Sequence, residues 1–301
     1  MAAFSYGPPL AFLGWTAAFV GGLWLLAAWS NRRAAAARRD RRQGDGLSFN
    51  TILGRMRRAA QPTLLLAPAQ ALGFSKLGGL PDLPAGLGWP GRTDGPRAFL
   101  GQIDLGAVGA GADLEWLPTD GRLYLFVDEA RYGFADLVRV LHSREAPAGE
   151  RAPPASLRGT FLERRVEFTP LTSLPSLDWL GVEADDLAVS DEELDRLADL
   201  PDAPFGDEIQ HRIGGYPSEI QAGRMQVECE YLRRGLDGAN GAEIPEAVRR
   251  ASRQWRLLIQ IDSDPALGMN WGDGGRLYVF IRKADAERAD FSKTVTLFQT
   301  H

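Results

Sequence analysis

The feature that most constrains this chain is an internal repeat. A Gln-Ile-Asp triplet, a glycine and a strand-like Arg-Leu-Tyr segment occur in the same order in both halves of the sequence. A glycine pair, followed after one residue by proline, precedes each copy. The matched segments are residues 77–81, 102–104 and 121–127 in the first half and residues 213–217, 260–262 and 275–281 in the second. Turn glycines, strand residues and polar positions that match in order predict two similar halves packed about a pseudo-twofold axis.

The amino-terminal part of the chain contains a run that is long enough to cross a membrane. Residues 10–29 are 20 residues without a charge, and at about 1.5 Å per residue they span about 30 Å, the thickness of a bilayer's hydrocarbon core. No Lys or Arg precedes the run, whereas six arginines follow it between Arg32 and Arg42. Since positive residues stay inside, we predict a single-pass protein of the bacterial cytoplasmic membrane, with its N-terminus outside and its body in the cytoplasm. A cleaved signal peptide would carry its positive residues before the apolar run.

Two kinds of membrane contact follow from this segment. The arginines from Arg32 to Arg42 are predicted to contact anionic lipid headgroups of the inner membrane. Gly14, Ala18 and Gly22 share one face of the helix, a pattern that lets two transmembrane helices approach closely and so predicts a homodimer. The alternative is that Gly and Ala are simply common in such helices.

Composition and charge divide the chain into regions. We predict a short extracytoplasmic tail (1–9), the membrane helix (10–29), an Arg-rich linker and helix (30–61) and a domain (62–301) with halves at about 62–180 and 181–301. The formal net charge is −5 although the linker is basic, so the domain is acidic and offers no basic surface for nucleic acid. Cys229 is the only cysteine, which excludes an internal disulfide.

The domain reads as a mixture of strands and a few helices. Ser190 with Glu193 forms a capping box that predicts a helix over residues 191–199, and residues 48–60, 245–254 and the ambiguous segment 219–234 also favour helix. Short apolar runs bounded by Pro, Gly or Asp predict strands at residues 63–66, 98–103, 122–127, 137–141, 166–169, 255–261, 277–282 and 294–298. The prediction is an α+β fold, internally duplicated, with a largely antiparallel sheet and a few helices, preceded by one transmembrane helix.

Four segments resemble a known family. Residues 76–81, Trp89-Pro90, residues 99–104 and residues 269–278 are similar to the YwqG-like family, a bacterial domain of unknown function (DUF1963). The resemblance covers about residues 62–301 and implies a compact, internally duplicated α+β domain. It carries over no established catalytic residue. For some members the family resemblance includes a place near toxin genes, which implies an immunity role. Many members are soluble, so the membrane helix departs from the family pattern.

An acidic loop between the two signature strands of the second half is the best candidate for a metal site. Asp262, Asp264 and Asp273, with Asn270 between them, offer the oxygen ligands that Ca²⁺ or Mg²⁺ prefers. The loop does not match an EF-hand, because its sixth position is Leu267 instead of glycine. The alternative is that the aspartates accept backbone N–H bonds in turns. Asp104, the repeat mate of Asp262, favours that alternative because its own loop lacks the other acids.

Further polar residues stand at marked positions of the repeat. His211 and Arg212 precede the second glycine pair and would form an anion-binding or acid-base pair if they faced a cleft. The glycine pairs themselves match no phosphate-binding motif and are typical of tight turns. Arg122 and Arg276 occupy matched positions and are candidate ligand-binding residues.

Two structural expectations remain for this part of the sequence. Arg122 and Arg276 either pair with Asp104 and Asp262 across the pseudo-twofold axis or are independent surface arginines. Trp271 lies between Asn270 and Gly272 in a predicted turn, so we expect it to be partly exposed and available to a ligand or a protein partner.

The sequence therefore favours a membrane-anchored cytoplasmic binding or interaction module of unknown ligand, with no required cofactor. One alternative is a metal-assisted hydrolase or lyase that uses the acidic loop 262–273 with a divalent cation and His211 as acid-base partner. Another is an immunity-type protein that binds a toxin. No complete catalytic set distinguishes the enzyme hypothesis from the others.

Overall fold

A computed structural model of the chain describes residues 46–70, 73–92, 95–128, 135–157, 159–206, 209–221, 224–236 and 244–301. The predicted membrane helix at 10–29, its small-residue face and the arginines from Arg32 to Arg42 lie outside these residues. Among the residues described, no helix is both long enough and apolar enough to cross a membrane.

Apart from the membrane helix, the described residues include every helix and strand that was predicted, together with short helices and strands that were not. The helices are α1 (Phe49–Arg58), α2 (Leu105–Gly111), α3 (Leu177–Leu180), α4 (Asp191–Asp199), α5 (Met225–Arg234), α6 (Glu246–Ser252) and α7 (Lys283–Glu287). The strands are β1 (Gln61–Pro68), β2 (Lys76–Leu77), β3 (Gly91–Arg92), β4 (Gly95–Pro96), β5 (Ala98–Asp104), β6 (Arg122–Val127), β7 (Val138–Ser143), β8 (Arg164–Ser173), β9 (Arg212–Gly214), β10 (Trp255–Asp262), β11 (Arg276–Arg282) and β12 (Val295–Gln299).

Local sequence signals account for the helices. Helix α4 begins and ends at the predicted residues because Ser190 and Glu193 form the complete capping box. Helix α1 begins after Ser48, whose side chain accepts a hydrogen bond from Thr51 N. The ambiguous segment contains helix α5, which confirms the preference for helix there.

Ten of the strands form one antiparallel sheet that is nearly closed into a barrel. Its order is β12-β11-β10-β9-β1-β8-β2-β5-β6-β7. The two end strands approach each other where Val138 N donates to Thr296 Oγ1 (3.2 Å) and Thr296 N donates to Ala135 O (2.8 Å). The α+β class and the antiparallel sheet are confirmed, and the near closure is an addition that the sequence did not predict.

The duplication is visible in strand order and register. Strand β5 pairs with β6 so that Asp104 lies opposite Arg122, and β10 pairs with β11 so that Asp262 lies opposite Arg276. Each pair is interrupted by an irregularity in register at the corresponding place in its first strand. Outward from the β1·β8 pair, each side of the sheet continues with one short strand and then with the matched strand pair.

Alternating residues of the repeat strands divide the apolar core. Leu123 and Leu125 face a large central cluster shared by both halves, and Leu277 and Val279 face the same cluster. The intervening aromatic residues instead face a smaller cluster belonging to their own half: Tyr124 and Phe126 in the first, Tyr278 and Phe280 in the second. In each half, one face of the sheet therefore packs against the central cluster shared by both halves, and the other face packs against the smaller cluster of that half.

Trp271 corrects a sequence expectation. Its side chain is fully buried, with 0% exposure, and its ring packs edge-on against Phe161 with centroids 5.7 Å apart. The indole Nε1 donates to Asp262 O at 3.0 Å. The expectation of partial exposure was wrong because the indole is held by the carbonyl at the end of β10 and by the Phe161 ring. The neighbours Asn270 and Gly272 are exposed.

Candidate functional site

Each half carries a buried cation immediately before a glycine turn. Lys76 in β2 is 0% exposed and Arg212 in β9 is 1% exposed. Both glycine pairs have positive φ, at 63° and 74° for Gly78 and Gly79 and at 72° and 69° for Gly214 and Gly215. This left-handed backbone is readily adopted only by glycine, which confirms the prediction of tight turns.

In the first half a glutamine and a tyrosine position the segment beyond the turn. Gln102 Nε2 donates to Phe74 O at 2.9 Å, and its Oε1 accepts from Asp82 N at 2.9 Å. Tyr124 Oη donates to Asp82 O at 3.0 Å. The ammonium of Lys76 lies within ion-pair distance of three carboxylates: Glu163 (3.0 Å), Asp82 (3.4 Å) and Glu150 (3.5 Å).

The second half repeats this frame with a different charge balance. Gln260 Nε2 donates to Gln210 O at 3.1 Å, and its Oε1 accepts from Ser218 N at 3.0 Å. Tyr278 Oη donates to Ser218 O at 2.6 Å. Arg212 occupies the position of Lys76, and Ser218 occupies the position of Asp82. The frame is therefore preserved, while one of the three carboxylates beside the cation, that of Asp82, is replaced by the hydroxyl of Ser218.

Arg212 has few partners for a buried cation. Its Nη2 donates to Gln260 Oε1 at 3.3 Å, and its guanidinium carbon lies 4.2 Å from the centre of the Phe205 ring. Within the described part of the chain, Nε and Nη1 have no hydrogen-bond acceptor, and each buried donor left so costs about 1–3 kcal/mol. Burial lowers the pKa of Arg212 to about 10, so the guanidinium is still charged at neutral pH.

His211 has both ring nitrogens engaged. Its Nδ1 accepts from Asp262 N at 3.1 Å, so the proton resides on Nε2, which lies 3.3 Å from Asp264 Oδ2. In the first half the hydroxyl of Ser75 accepts from Asp104 N at 3.0 Å. Because a serine performs the same task at the matched position, the role of His211 toward Asp262 is structural.

Asp264 is buried and saturated with donors. Its Oδ1 accepts from Ala266 N at 3.0 Å, and its Oδ2 also accepts from Arg164 Nη1. The hydrogen bond from His211, aided by the charge of Arg164, lowers the pKa of this carboxyl to about 2 despite burial. Asp264 therefore joins strand β8 to the acidic loop as an anion that accepts three hydrogen bonds.

Asp262 and Asp104 pair with the arginines of their own halves. Asp262 Oδ1 accepts from Arg276 Nε and Ser263 N, both at 3.1 Å, and its Oδ2 accepts from Gln210 N at 3.1 Å. The Nε of Arg122 lies 3.7 Å from Asp104 Oδ2. Pairing across the pseudo-twofold axis is thus wrong, because each Asp faces its Arg on the adjacent strand.

The acidic loop does not assemble a metal-ligand set in the part of the chain that the structure covers. Asp262 and Asp264 face arginine and histidine donors, whereas Asp273 and Asn270 are exposed. Among the described residues no group of three or more His, Cys, Asp or Glu side chains could hold a metal ion. The backbone-capping alternative describes Asp262 and Asp264, both of which accept backbone N–H bonds.

Sequence reasoning missed four polar residues of this site. Lys76, Ser218 and Gln260 could have been found from the repeat itself, since each occupies a matched position beside a motif already noted. Glu219 has no such signal. Its burial, aided by the nearby charge of Asp178, raises its pKa to about 8, and Ser176 Oγ lies 3.4 Å from its Oε2.

Comparison with known proteins gives one positive finding. A family model described as a domain of unknown function, DUF1963, matches residues 75–299. The match begins at Ser75, ends in β12 and includes both copies of the repeat. A comparison with curated proteins found no match.

Proposed function

The chain belongs to the DUF1963 family, and because that description assigns no activity we propose a function from the site itself. We propose that the protein is a non-catalytic binding module, held at the cytoplasmic face of a bacterial membrane by the helix at residues 10–29. The uncharged run and the arginines behind it support the tether. The state of the acidic side chains supports the absence of catalysis.

The observation that carries this proposal is that three of the four side chains that the metal-dependent alternative would use, those of Asp262, Asp264 and His211, are already occupied. Asp262 accepts three hydrogen bonds, and Asp264 accepts from an arginine, a backbone N–H and His211. His211 has no nitrogen left to act on a substrate. Cys229 is fully buried, and burial raises the pKa of its thiol well above the usual value, which keeps it from acting as a thiolate nucleophile.

An activity screen tests this conclusion against the metal-dependent alternative. The full chain in detergent micelles would be assayed with ester, phosphoester, glycoside and peptide substrates in the presence of Mg²⁺, Mn²⁺, Ca²⁺ or Zn²⁺. We expect no turnover above the buffer rate. The variant Asp273→Asn is the informative control, because Asp273 is exposed and its loss should leave the fold intact. Turnover by the natural chain that this variant loses would establish the enzyme instead.

The membrane topology has a separate test that uses the burial of Cys229. Cys229 is the only cysteine and is fully buried. Labelling of an introduced cysteine can therefore be measured without interference from Cys229. In intact cells a membrane-impermeant maleimide should label Ser5→Cys but should label Ser292→Cys only after permeabilisation. The reverse pattern, or release of the protein by washing without detergent, would contradict the proposed anchor and orientation.

A further inference from the structure

We propose that Arg212 is a binding site for a carboxylate group on the ligand of this module. The inference rests on the proposed binding function and names the chemistry that its ligand would present. The site consists of the Arg212 guanidinium, the Phe205 ring that covers it and the Gln260 amide beside it.

The first observation is the unused hydrogen-bonding capacity of Arg212. It is 1% exposed, yet within the described residues two of its three guanidinium nitrogens have no acceptor. Gln260 Oε1 at 3.3 Å is a neutral partner that is also shared with Ser218 N. Buried charges in proteins are ordinarily paired, so this arrangement is a place where an anion is missing.

The matched cation in the other half, Lys76, has carboxylate partners. Lys76 lies within 3.5 Å of three carboxylates, one of which belongs to Asp82. At the corresponding place beside Arg212 the chain has Ser218, which directs its hydroxyl to Asp202 and Gln210. The second half thus keeps the cation and the frame, but among the described residues no carboxylate takes the place of Asp82 beside Arg212.

The surrounding charges favour a carboxylate over a phosphate. Asp202 and Asp262 both lie close enough to Arg212 to act on its charge, and they would oppose a dianion. The other nearby cation, Arg276, is already committed to Asp262 Oδ1 and Ser218 O. A planar carboxylate suits the guanidinium of Arg212, whose Nε and Nη1 have no acceptor among the described residues.

The ligand would approach from the side covered by Phe205. This ring is 8% exposed and lies against the guanidinium, and its neighbours Ala203, Pro204 and Gly206 are exposed. Rotation of one interface side chain is a common accompaniment of binding. The Phe205 ring would then contact the apolar part of a ligand whose carboxylate meets Arg212.

The test is a ligand-dependent thermal shift of the full chain in detergent micelles. Acetate is the probe, acetamide is its neutral counterpart of similar shape, and sodium chloride keeps the ionic strength constant. We expect acetate to raise the Tm saturably and acetamide to leave it unchanged. In Arg212→Gln the response to acetate should weaken by about tenfold or more. In the control Arg144→Gln, which removes an arginine whose side chain is 63% exposed, the response should persist.

Several results would overturn the site. They are an equal response to acetate in Arg212→Gln, an equal response to acetamide, or no response in the natural chain. Inorganic phosphate that binds where acetate does not would overturn the carboxylate assignment. Should Arg212→Gln melt without a cooperative transition, the Nε–H signal of Arg212 in the natural chain, followed by nitrogen-15 NMR during an acetate titration, decides the matter. A signal that does not move contradicts the proposal.

The two proposals fail in different ways. Substrate turnover in the metal screen would end the non-catalytic function without altering the acetate response of Arg212. Absence of an acetate response would remove the carboxylate site and leave the binding module with a ligand of another class.

Discussion

The two halves of this protein use the same polar frame and balance their buried cations differently. A glutamine, a tyrosine and a glycine pair make matching contacts in each half, yet Lys76 has three carboxylate neighbours and Arg212 has none within ion-pair distance among the described residues. Features that appear in both halves therefore maintain the fold. Features that appear in only one half, above all the unbalanced Arg212, are where a ligand is to be sought.

The largest expected effect concerns the glycine turns. A Cβ at Gly78 would lie 2.1 Å from Leu162 O, a backbone atom, whereas a Cβ at Gly214 would first meet a leucine methyl of Leu114 at 2.9 Å. We expect Gly78→Ala to destabilise by about 4 kcal/mol or more and Gly214→Ala by about 1–2 kcal/mol, since only the side chain can yield. Urea unfolding followed by tryptophan fluorescence measures both. Equal losses would mean that the two turns are held alike.

The second prediction compares the buried cations directly. Lys76→Met removes the cation shared by Asp82, Glu150 and Glu163, of which only Glu163 keeps a second ion-pair partner among the described residues, Arg165, so we expect a loss of about 2–4 kcal/mol. Arg212→Met removes a cation that has no carboxylate within ion-pair distance among the described residues, and it should change the free energy of unfolding by less than about 1 kcal/mol. The same urea experiment tests both variants. A loss at Arg212 as large as that at Lys76 would show that the second half is electrostatically complete without a ligand.

The third prediction concerns the acidic loop that only the second half possesses. Asp264→Asn removes a buried anion from between His211 and Arg164, and we expect a loss of about 2–3 kcal/mol. Asp273→Asn, on the exposed side of the same loop, should stay within about 0.5 kcal/mol of the natural chain. Similar effects for the two variants would contradict the assignment of Asp264 as a structural link.

The depressed pKa of the Asp264 carboxyl also predicts that the protein loses stability at low pH. This pKa is depressed to about 2 in the folded state and is about 4 in the unfolded chain. The stabilisation is therefore fully present above about pH 4 and is lost as the pH falls from about 4 to about 2. Comparison of the natural chain with Asp264→Asn across this window should show the difference between them shrinking.

The smallest expected effect is a loss of stability as the pH rises, at Glu219. This acid is partly buried beside Ser218. Its folded pKa is raised to about 8, so ionisation of the unfolded chain above about pH 4.5 progressively destabilises the fold until about pH 8. We expect Glu219→Gln to be more stable than the natural chain by about 1–2 kcal/mol at pH 8 and indistinguishable from it at pH 4. If the difference in stability between Glu219→Gln and the natural chain were the same at both pH values, Glu219 would lie in solvent.

Much of the fold could be predicted because the repeat and the capping signals are local. The capping box set the limits of helix α4, and the two copies of the Arg-Leu-Tyr segment located strands β6 and β11. The approach of β7 to β12 could not be predicted, since it depends on Ala135, Val138 and Thr296 meeting across the fold. No local pattern reports such a contact.

The site was less predictable for a related reason. His211 and Arg212 were selected by position, but whether a polar side chain is free or saturated depends on partners far away in sequence. Asp264 is bound by Arg164, and His211 by Asp262. Trp271 was misjudged because its polar neighbours hid the contact its indole makes with the carbonyl at the end of β10.

The place of β1 in the sheet has a consequence for how this protein is made. Strand β1 leaves the ribosome before either of its neighbours, because its partners β8 and β9 lie at Arg164–Ser173 and Arg212–Gly214. Pairings this distant in sequence form slowly. Until β8 has been synthesised, both edges of β1 are unpaired, and one edge stays unpaired and open to association with other chains until β9 follows. A chain shortened before β9 would keep that edge of β1 unpaired.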